Sequence, residues 1–197
     1  MIVNRNMKVS NYNNQTNFNG TLINKKQILK LGKDNVLTPI EASFVELNPN
    51  VEEDLEALRR TANSWKTAEY AKSIYISAFS LKRGYFCNDI LKFYALTEQV
   101  KNYENMRPNK ILGVMEVVND SDCAAVNYIQ VKPPKNDIKQ YKHVGKTMLS
   151  SVRHQFENYP IVLNAVESAV GFYKKIGFKL TCKKPIQFTL PAGKDVK

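Results

Sequence analysis

The stretch Gln140 to Thr147, QYKHVGKT, lies between a polar, proline-bearing segment and an amphipathic run, a position suited to holding phosphate at the opening of a helix. Its tail, Gly145-Lys146-Thr147, matches the end of a nucleotide-hydrolase phosphate loop, in which a glycine-rich turn, a lysine and a hydroxyl cradle triphosphate and magnesium. That loop needs glycine where this chain has Gln140, because the tight turn aims successive backbone N–H groups at phosphate. It also needs a strand ending in aspartate for the metal, whereas IVLNAV runs out at Asn164 and Glu167. Nucleotide hydrolysis is therefore disfavoured. What remains is a loop, Gln140-Tyr141-Lys142-His143-Val144-Gly145, that wraps onto a helix N-terminus, where unpaired N–H groups and a partial positive charge can bind a pyrophosphate through backbone alone. Gly145 lets the backbone come close, and Lys142 and Lys146 add charge-assisted contacts.

A second candidate is Glu116, the one charged residue in ILGVMEVV. On a regular strand it shares a side with Leu112, Val114 and Val118. A partly desolvated carboxylate there has a raised pKa and suits a general base, with a water as relay. The competing reading is a glutamate paired with a lysine or lying at an open edge.

The elements that must position these residues are limited by size and composition. At 197 residues, 43% hydrophobic and 24% charged, the chain fits one globular domain with an appendage. Cys87, Cys123 and Cys182 lack paired spacing, and His143 and His154 are too far apart to start a metal site, so neither a disulfide framework nor a structural metal is expected. No segment has a secretory pattern or a long apolar run, which predicts a cytoplasmic protein with no membrane partner. The net charge is +11, and residues 1–40 hold Arg5, Lys8, Lys25, Lys26, Lys30 and Lys33 against Asp34 alone. Without an arginine-rich helix bearing interleaved aromatics, a solvated basic surface is the favoured reading over nucleic-acid binding.

Residues 4–21 are Asn-rich and poor in apolar side chains, so residues 1–40 read as a basic, partly disordered extension in which KKQILKL forms at most a short docked helix. The domain then runs over 41–197. Phe44, Val45 and Leu47 predict a strand ended by Pro49, and Asn50 with Glu53 predicts a helix cap. Val51, Leu55, Leu58, Ala62 and Trp65 recur at helical spacing, and a second helix over about residues 67–80 carries Ala68, Ala71, Ile74, Tyr75 and Ala78. LKFYALTEQV, KILGVMEVVND and CAAVNYIQV follow as an antiparallel meander. A helix from about Lys142 to Tyr159, the strand PIVLNAV, the helix SAVGFYKKIG ended by Gly177, and the strands FKLT and IQFTL close the chain. The result is an α+β fold of order β-α-α-β-β-β-α-β-α-β-β around a largely antiparallel sheet.

The loop from Gln140 to Gly145 resembles the Gln/Arg-x-x-Gly-x-Gly/Ala loop of the GNAT superfamily of acyl-CoA-dependent N-acyltransferases. The element order over residues 43–191 and the segment AVGFYKKIGF, Ala169 to Phe178, resemble that family as well. The resemblance implies that acetyl-CoA or a short acyl-CoA is the donor and an amine, on a small molecule or a protein, the acceptor. It implies that Ile129, Gln130 and Val131 hold the pantetheine and the thioester carbonyl, and that the segment from Gln140 through Gly145 to Lys146 and Thr147 holds the pyrophosphate. Tyr173 matches the family tyrosine that lies by the thiol and donates a proton. On the acceptor side it implies walls from Trp65, Tyr70, Tyr75 and the loop KRGYFCND. Two departures stand out: His143 occupies the place of the usual first glycine, and PPKNDIK lengthens the run from Val131 to Gln140. The alternatives are a GNAT-fold protein that binds coenzyme A or a partner without catalysis, and a nucleic-acid-binding module that uses the basic extension.

Overall fold

The computed structural model describes residues 20–66, 68–85, 90–98, 108–136 and 138–197. Three runs with apolar residues at successive positions form the centre of the fold, because strands buried on both faces have no solvent side to mark with polar residues. They are β2 (Leu37–Leu47), β3 (Leu91–Glu98) and β4 (Ile111–Asn119), and adjacent side chains such as Phe44 and Val45, or Val114 and Met115, are both buried. One member of each pair belongs to the core under the helices α1 (Glu52–Ser64) and α2 (Glu69–Lys82), the other to the core under α3 (Val144–Gln155) and α4 (Val170–Lys175).

With β1 (Thr21–Leu31), β5 (Ala124–Val131), β6 (Tyr141–Lys142), β7 (Ile161–Asn164), β8 (Lys179–Lys183) and β9 (Ile186–Leu190), the strands make one sheet in the order β6-β1-β2-β3-β4-β5-β7-β9-β8. Every neighbouring pair is antiparallel except β5 with β7. The mixed α and β architecture read from the sequence is present, with β1 and the two-residue β6 added to the expected elements. No helix among the described residues is long and apolar enough to cross a membrane.

The boundary drawn at residue 41 is corrected by β1, which pairs with β2 along nearly its whole length. KKQILKL is therefore strand and not helix. Edge position is the reason the reading failed: of β1 only Ile28 is fully buried, so the strand carries lysines where a central strand would carry apolar residues. The turn itself had a signal in GKDN, where Asn35 takes a left-handed φ of 61° and the Asp34 carboxylate accepts from the Val36 N–H. Residues 1–19 lie outside the described residues.

Three smaller readings also change. The N-cap of α1 is Val51, not Asn50; the backbone N–H of Asn48 donates instead to the buried Asp54 carboxylate. Ala57 and Thr61 take the fully buried positions expected for Val51 and Ala62. The third helix ends at Gln155, leaving Tyr159 exposed, while the Arg153 guanidinium donates to the carbonyls of Phe156, Tyr159 and Pro191 and ties the end of α3 to the end of the sheet.

Helix α3 approaches β4 at Gly113. A Cβ there would overlap Met148 Sδ and lie 3.1 Å from Val144 Cγ1, so the absence of a side chain sets the depth of the helix. At Gly145 a Cβ would meet Phe172 Cζ at 3.5 Å and Val131 Cγ1 at 3.6 Å, ordinary contact distances. Gly113→Ala is expected to cost about 1–3 kcal/mol through overpacking, whereas Gly145→Ala, inside the helix and with only ordinary contacts, is expected to be neutral or to gain up to about 1 kcal/mol. Urea midpoints of the two variants against the parent measure the difference.

Candidate active site

Strands β5 and β7 pair over Ala124, Ala125 and Val126 against Ile161, Val162 and Leu163, and then part. The cause is in β5: between Val126, opposite Val117, and Tyr128, opposite Glu116, Asn127 is an extra residue, a bulge that re-aims the strand. The gap opens into two adjoining clefts. One, of about 910 Å³, has Ile129, Gln130 and Val131 on one wall, Gln140 to Gly145 at the mouth of α3, and Phe172 and Tyr173 of α4 opposite. The other, of about 690 Å³, runs toward Asn127, Asn164 and Gln187. Tyr70, Ile129, Ala169 and Tyr173 line both, so Tyr173 stands at their junction.

Nine of the eleven residues expected around a pyrophosphate and thioester thus line one cleft. Lys146 and Thr147 do not. Thr147 is buried, and its N–H donates to the His143 carbonyl at 2.8 Å as the first bond of α3. That bond leaves the N–H groups of Val144, Gly145 and Lys146 at the open helix end, where they carry the positive end of the dipole. His143 has φ 68°, the left-handed region that glycine enters freely and other residues enter at a cost of about 1 kcal/mol. The departure at His143 is therefore an L-residue held in a glycine conformation. The PPKNDIK run contains an isolated antiparallel bridge between Lys135 and Ile138, a small excursion ahead of the loop.

What holds the loop was not read from the sequence. β6 pairs with β1, placing Tyr141 opposite Lys30 and Lys142 opposite Leu29, and the Leu31 N–H donates to the Gln140 carbonyl at 2.8 Å. Behind them, Glu98 accepts hydrogen bonds at 2.7 Å from the Tyr141 hydroxyl, Lys30 Nζ and Lys110 Nζ. Burial alone would raise the Glu98 carboxyl, but the bonds from Lys110, Lys30 and Tyr141 outweigh it and hold it at about 2. Burial, then the hydrogen bond to Glu98, pushes the Tyr141 phenol upward, and burial lowers the Lys132 ammonium nearby. A lysine opposite a glutamate more than sixty residues away is a tertiary pairing, without a local spacing to mark it.

Tyr173 is buried among rings, edge-on to Phe172 at 5.1 Å and Phe178 at 5.8 Å and tilted against Phe188 at 5.6 Å. Its hydroxyl bonds to no described residue. Burial, with a smaller contribution from Tyr70, pushes the phenol up to about 12. Glu116 is 2% exposed and outside both cleft linings. Its Oε1 accepts from Asn127 Nδ2 at 2.9 Å, and its Oε2 has no partner at full hydrogen-bond geometry among the described residues. Burial raises its pKa, while Asn127 and the nearby Ser77 hydroxyl act the other way. It shares a face with Val114, but a bulge opposite Leu96 and Thr97 turns Leu112 to the other side, so the regular-strand expectation holds only in part.

Of the residues expected to wall the acceptor side, Tyr70 lines both clefts and packs, tilted, at 5.7 Å against Tyr128, a residue the sequence reading did not single out. Trp65 is core, and Tyr75 packs on Phe79 away from both clefts. Phe86 to Asp89 of the KRGYFCND loop lie outside the described residues.

No protein-family model matches the sequence, and no curated protein matches it significantly. Solved structures do. The PaiA N-acetyltransferase from Thermoplasma acidophilum, in complex with coenzyme A, superposes with a TM-score of 0.50 at 19% identity, covering 76% of this chain and 98% of that one. The ribosomal-protein-S18-alanine N-acetyltransferase from Escherichia coli superposes with a TM-score of 0.50 at 15% identity, covering 79% of this chain and 97% of that one. The chain has the fold of the GNAT N-acetyltransferases.

The Glu98 cluster yields a pH prediction. A carboxyl held at about 2 in the folded state, against a reference near 4.5, contributes stability that is full above the reference value and is lost as pH falls through the folded value. Lys30 and Lys110 are 40% and 41% exposed, so solvent screens part of the interaction. Glu98→Gln is expected to lose about 1–2 kcal/mol at pH 7. Urea titrations should show the difference from the parent shrinking between about pH 4.5 and 2.

Proposed function

We propose that the protein is an acyl-CoA-dependent N-acyltransferase that moves an acetyl or short acyl group onto an amine. The observation that carries this reading is the gap between β5 and β7, which ends at the open N-terminus of α3 with Gly145 in its throat. A pyrophosphate there would meet the first N–H groups of α3, with Lys142 at the rim. A side chain longer than a methyl at Gly145 would point toward Phe172 and Val131 across the passage. The unpaired edge of β5 beyond Asn127 offers backbone groups to an amide-bearing arm, as another strand would.

In the reaction the amine nitrogen forms a bond to the thioester carbonyl carbon, the carbon–sulfur bond breaks, and the sulfur leaves as a thiolate that takes up a proton. The amine gives up one proton to water, which balances the proton that the sulfur takes up. Tyr173, at the junction of the clefts, is the proton donor to sulfur in this reading, since its phenol stays protonated across the physiological range. Glu116 has no direct access to a group in either cleft, so its influence on the amine runs through Asn127.

The nucleic-acid alternative draws less support from the described part of residues 1–40. There Lys25 pairs with Glu41 and Lys30 with Glu98, which removes charge from the surface a polyanion would need.

Acetyl-CoA is expected to raise the unfolding temperature by mass action, and Gly145→Glu to abolish the rise through bulk and charge repulsion. An unchanged rise in that variant would remove the loop from the donor site. Tyr173→Phe is expected to lower turnover roughly ten- to a hundred-fold while leaving the acetyl-CoA shift in place. Equal thiol release from the two proteins would reduce Tyr173 to packing.

A further inference from the structure

The cleft of about 690 Å³ differs from the rest of the molecule in one respect: among the described residues that line it, none is Lys, Arg, Asp or Glu. This is a chain with 29 basic and 18 acidic residues. The polar groups of the cleft are carboxamides and phenols, from Asn127, Asn164, Gln187, Tyr70, Tyr128 and Tyr173.

Asn127 is the one whose orientation is determined from behind. It is the extra residue of the β5 bulge, it is exposed to the cleft side, and its Nδ2 donates to Glu116 Oε1 at 2.9 Å. In its ionised form, which the Asn127 bond favours against the effect of burial, Glu116 has only acceptor sites and admits only the NH₂ end of a carboxamide. The carbonyl end is left for the cleft. A glutamine at position 116 would fill the same volume, avoid burying a carboxylate whose second oxygen has no full hydrogen bond among the described residues, and accept either end of Asn127. The acid is the side chain that specifies one orientation.

We propose that Asn127, oriented by Glu116, presents Oδ1 to an N–H of the attacking amine, and that the cleft selects acceptors whose only charged group is that amine. This rests on the N-acyltransferase reading and names the acceptor class for it. An amine with its nucleophilic lone pair aimed at the thioester still has N–H bonds to donate, and a fixed acceptor oxygen holds it in that pose. A second ammonium, a carboxylate or a phosphate on the acceptor would lose its water inside the cleft with no opposite charge among the described lining residues to meet it, Glu116 being buried behind Asn127. Neutral polar surface, such as a carboxamide or hydroxyls beside the Tyr70 and Tyr128 rings, finds partners there. Asn127 is thus a residue that touches the acceptor, and Glu116 a positioning residue that acts through it.

The test is thiol release at saturating acetyl-CoA with three probes: alaninamide, whose amine is its only charge, spermidine, and glutamate. Alaninamide is expected to have the highest kcat/KM. Asn127→Ala is expected to raise its KM about tenfold, the loss of one hydrogen bond, while the acetyl-CoA thermal shift stays as in the parent. Glu116→Gln should raise the same KM without lowering the unfolding temperature, and the double variant should be no worse than Asn127→Ala, since the two act as one unit. If Asn127→Ala does not fold, Asn127→Ser carries the same measurement. A preference for spermidine or glutamate, or no turnover of alaninamide by a protein that acetyl-CoA still stabilises, overturns the acceptor class. An unchanged KM in Asn127→Ala, or additive effects in the double variant, overturns the orientation. Loss of the acetyl-CoA shift in the parent protein is a separate outcome, which sinks the acyl-CoA reading itself.

Discussion

The bulge at Asn127 is the constraint on which the rest of the site depends. A parallel neighbour such as β7 would ordinarily continue to pair along β5, and the slanted bonds of that ladder would leave no gap. One inserted residue ends the pairing after Val126 and Leu163, so the sheet parts while β4 and β5 stay joined across Glu116 and Tyr128. Everything the cleft contains follows from that parting: the free edge of β5, the access of Tyr173 to both sides, and the exposure of Asn127. The same insertion brings the Asn127 amide to Glu116, so the residue that opens the gap is also fixed in it.

The loop at the mouth of α3 is held from the other end of the sheet. Its two-residue strand β6 pairs with β1, the outer strand of the N-terminal hairpin, and Glu98 joins Tyr141 to Lys30 beneath that pairing. A loop with an L-residue at φ 68° stores strain, and a strained segment keeps its shape only if its surroundings overdetermine it. The hydrogen bonds to β1 and to Glu98 do so here. The hairpin is in consequence part of the frame of the cleft, although no residue of β1 lines it.

Legibility from sequence divided along a physical line. Elements whose burial follows a period could be read: the helices from their apolar spacing, the central strands from uninterrupted apolar runs, and the loop from Gln140 to Gly145 because its chemistry is contiguous. β1 could not, since an edge strand is half solvated and its lysines mask the alternation, and only GKDN marked its turn. Glu98 and its partners were silent because Lys30, Lys110 and Tyr141 meet it through the topology of the sheet. Glu116 was visible as a lone acid in an apolar strand, but its relation to the cleft was not, because the bulge that puts Asn127 between them is not a feature of composition. Phe172, an aromatic within the apolar helix SAVGFYKKIG, is 39% exposed on the cleft, since a helix as short as α4 can turn only one side to the sheet.

The environment of Tyr173 bears on how a buried phenol can serve as an acid. Taken alone, a value pushed up to about 12 makes it a weaker donor than tyrosine in water. The thiolate it would protonate is, on the proposed reading, desolvated in the same cleft, and removal of water raises the basicity of a thiolate as it raises that of a phenolate. The two shifts have one sign and oppose each other in the proton transfer between them. On that reading the ring contacts with Phe172, Phe178 and Phe188 serve two ends: they exclude water from the departing sulfur, and they hold the hydroxyl at the junction of the clefts without committing it to an acceptor among the described residues. A tyrosine with its hydroxyl tied into the core would have the burial without the availability, and that difference makes the geometry at position 173 an argument for chemistry rather than for packing alone.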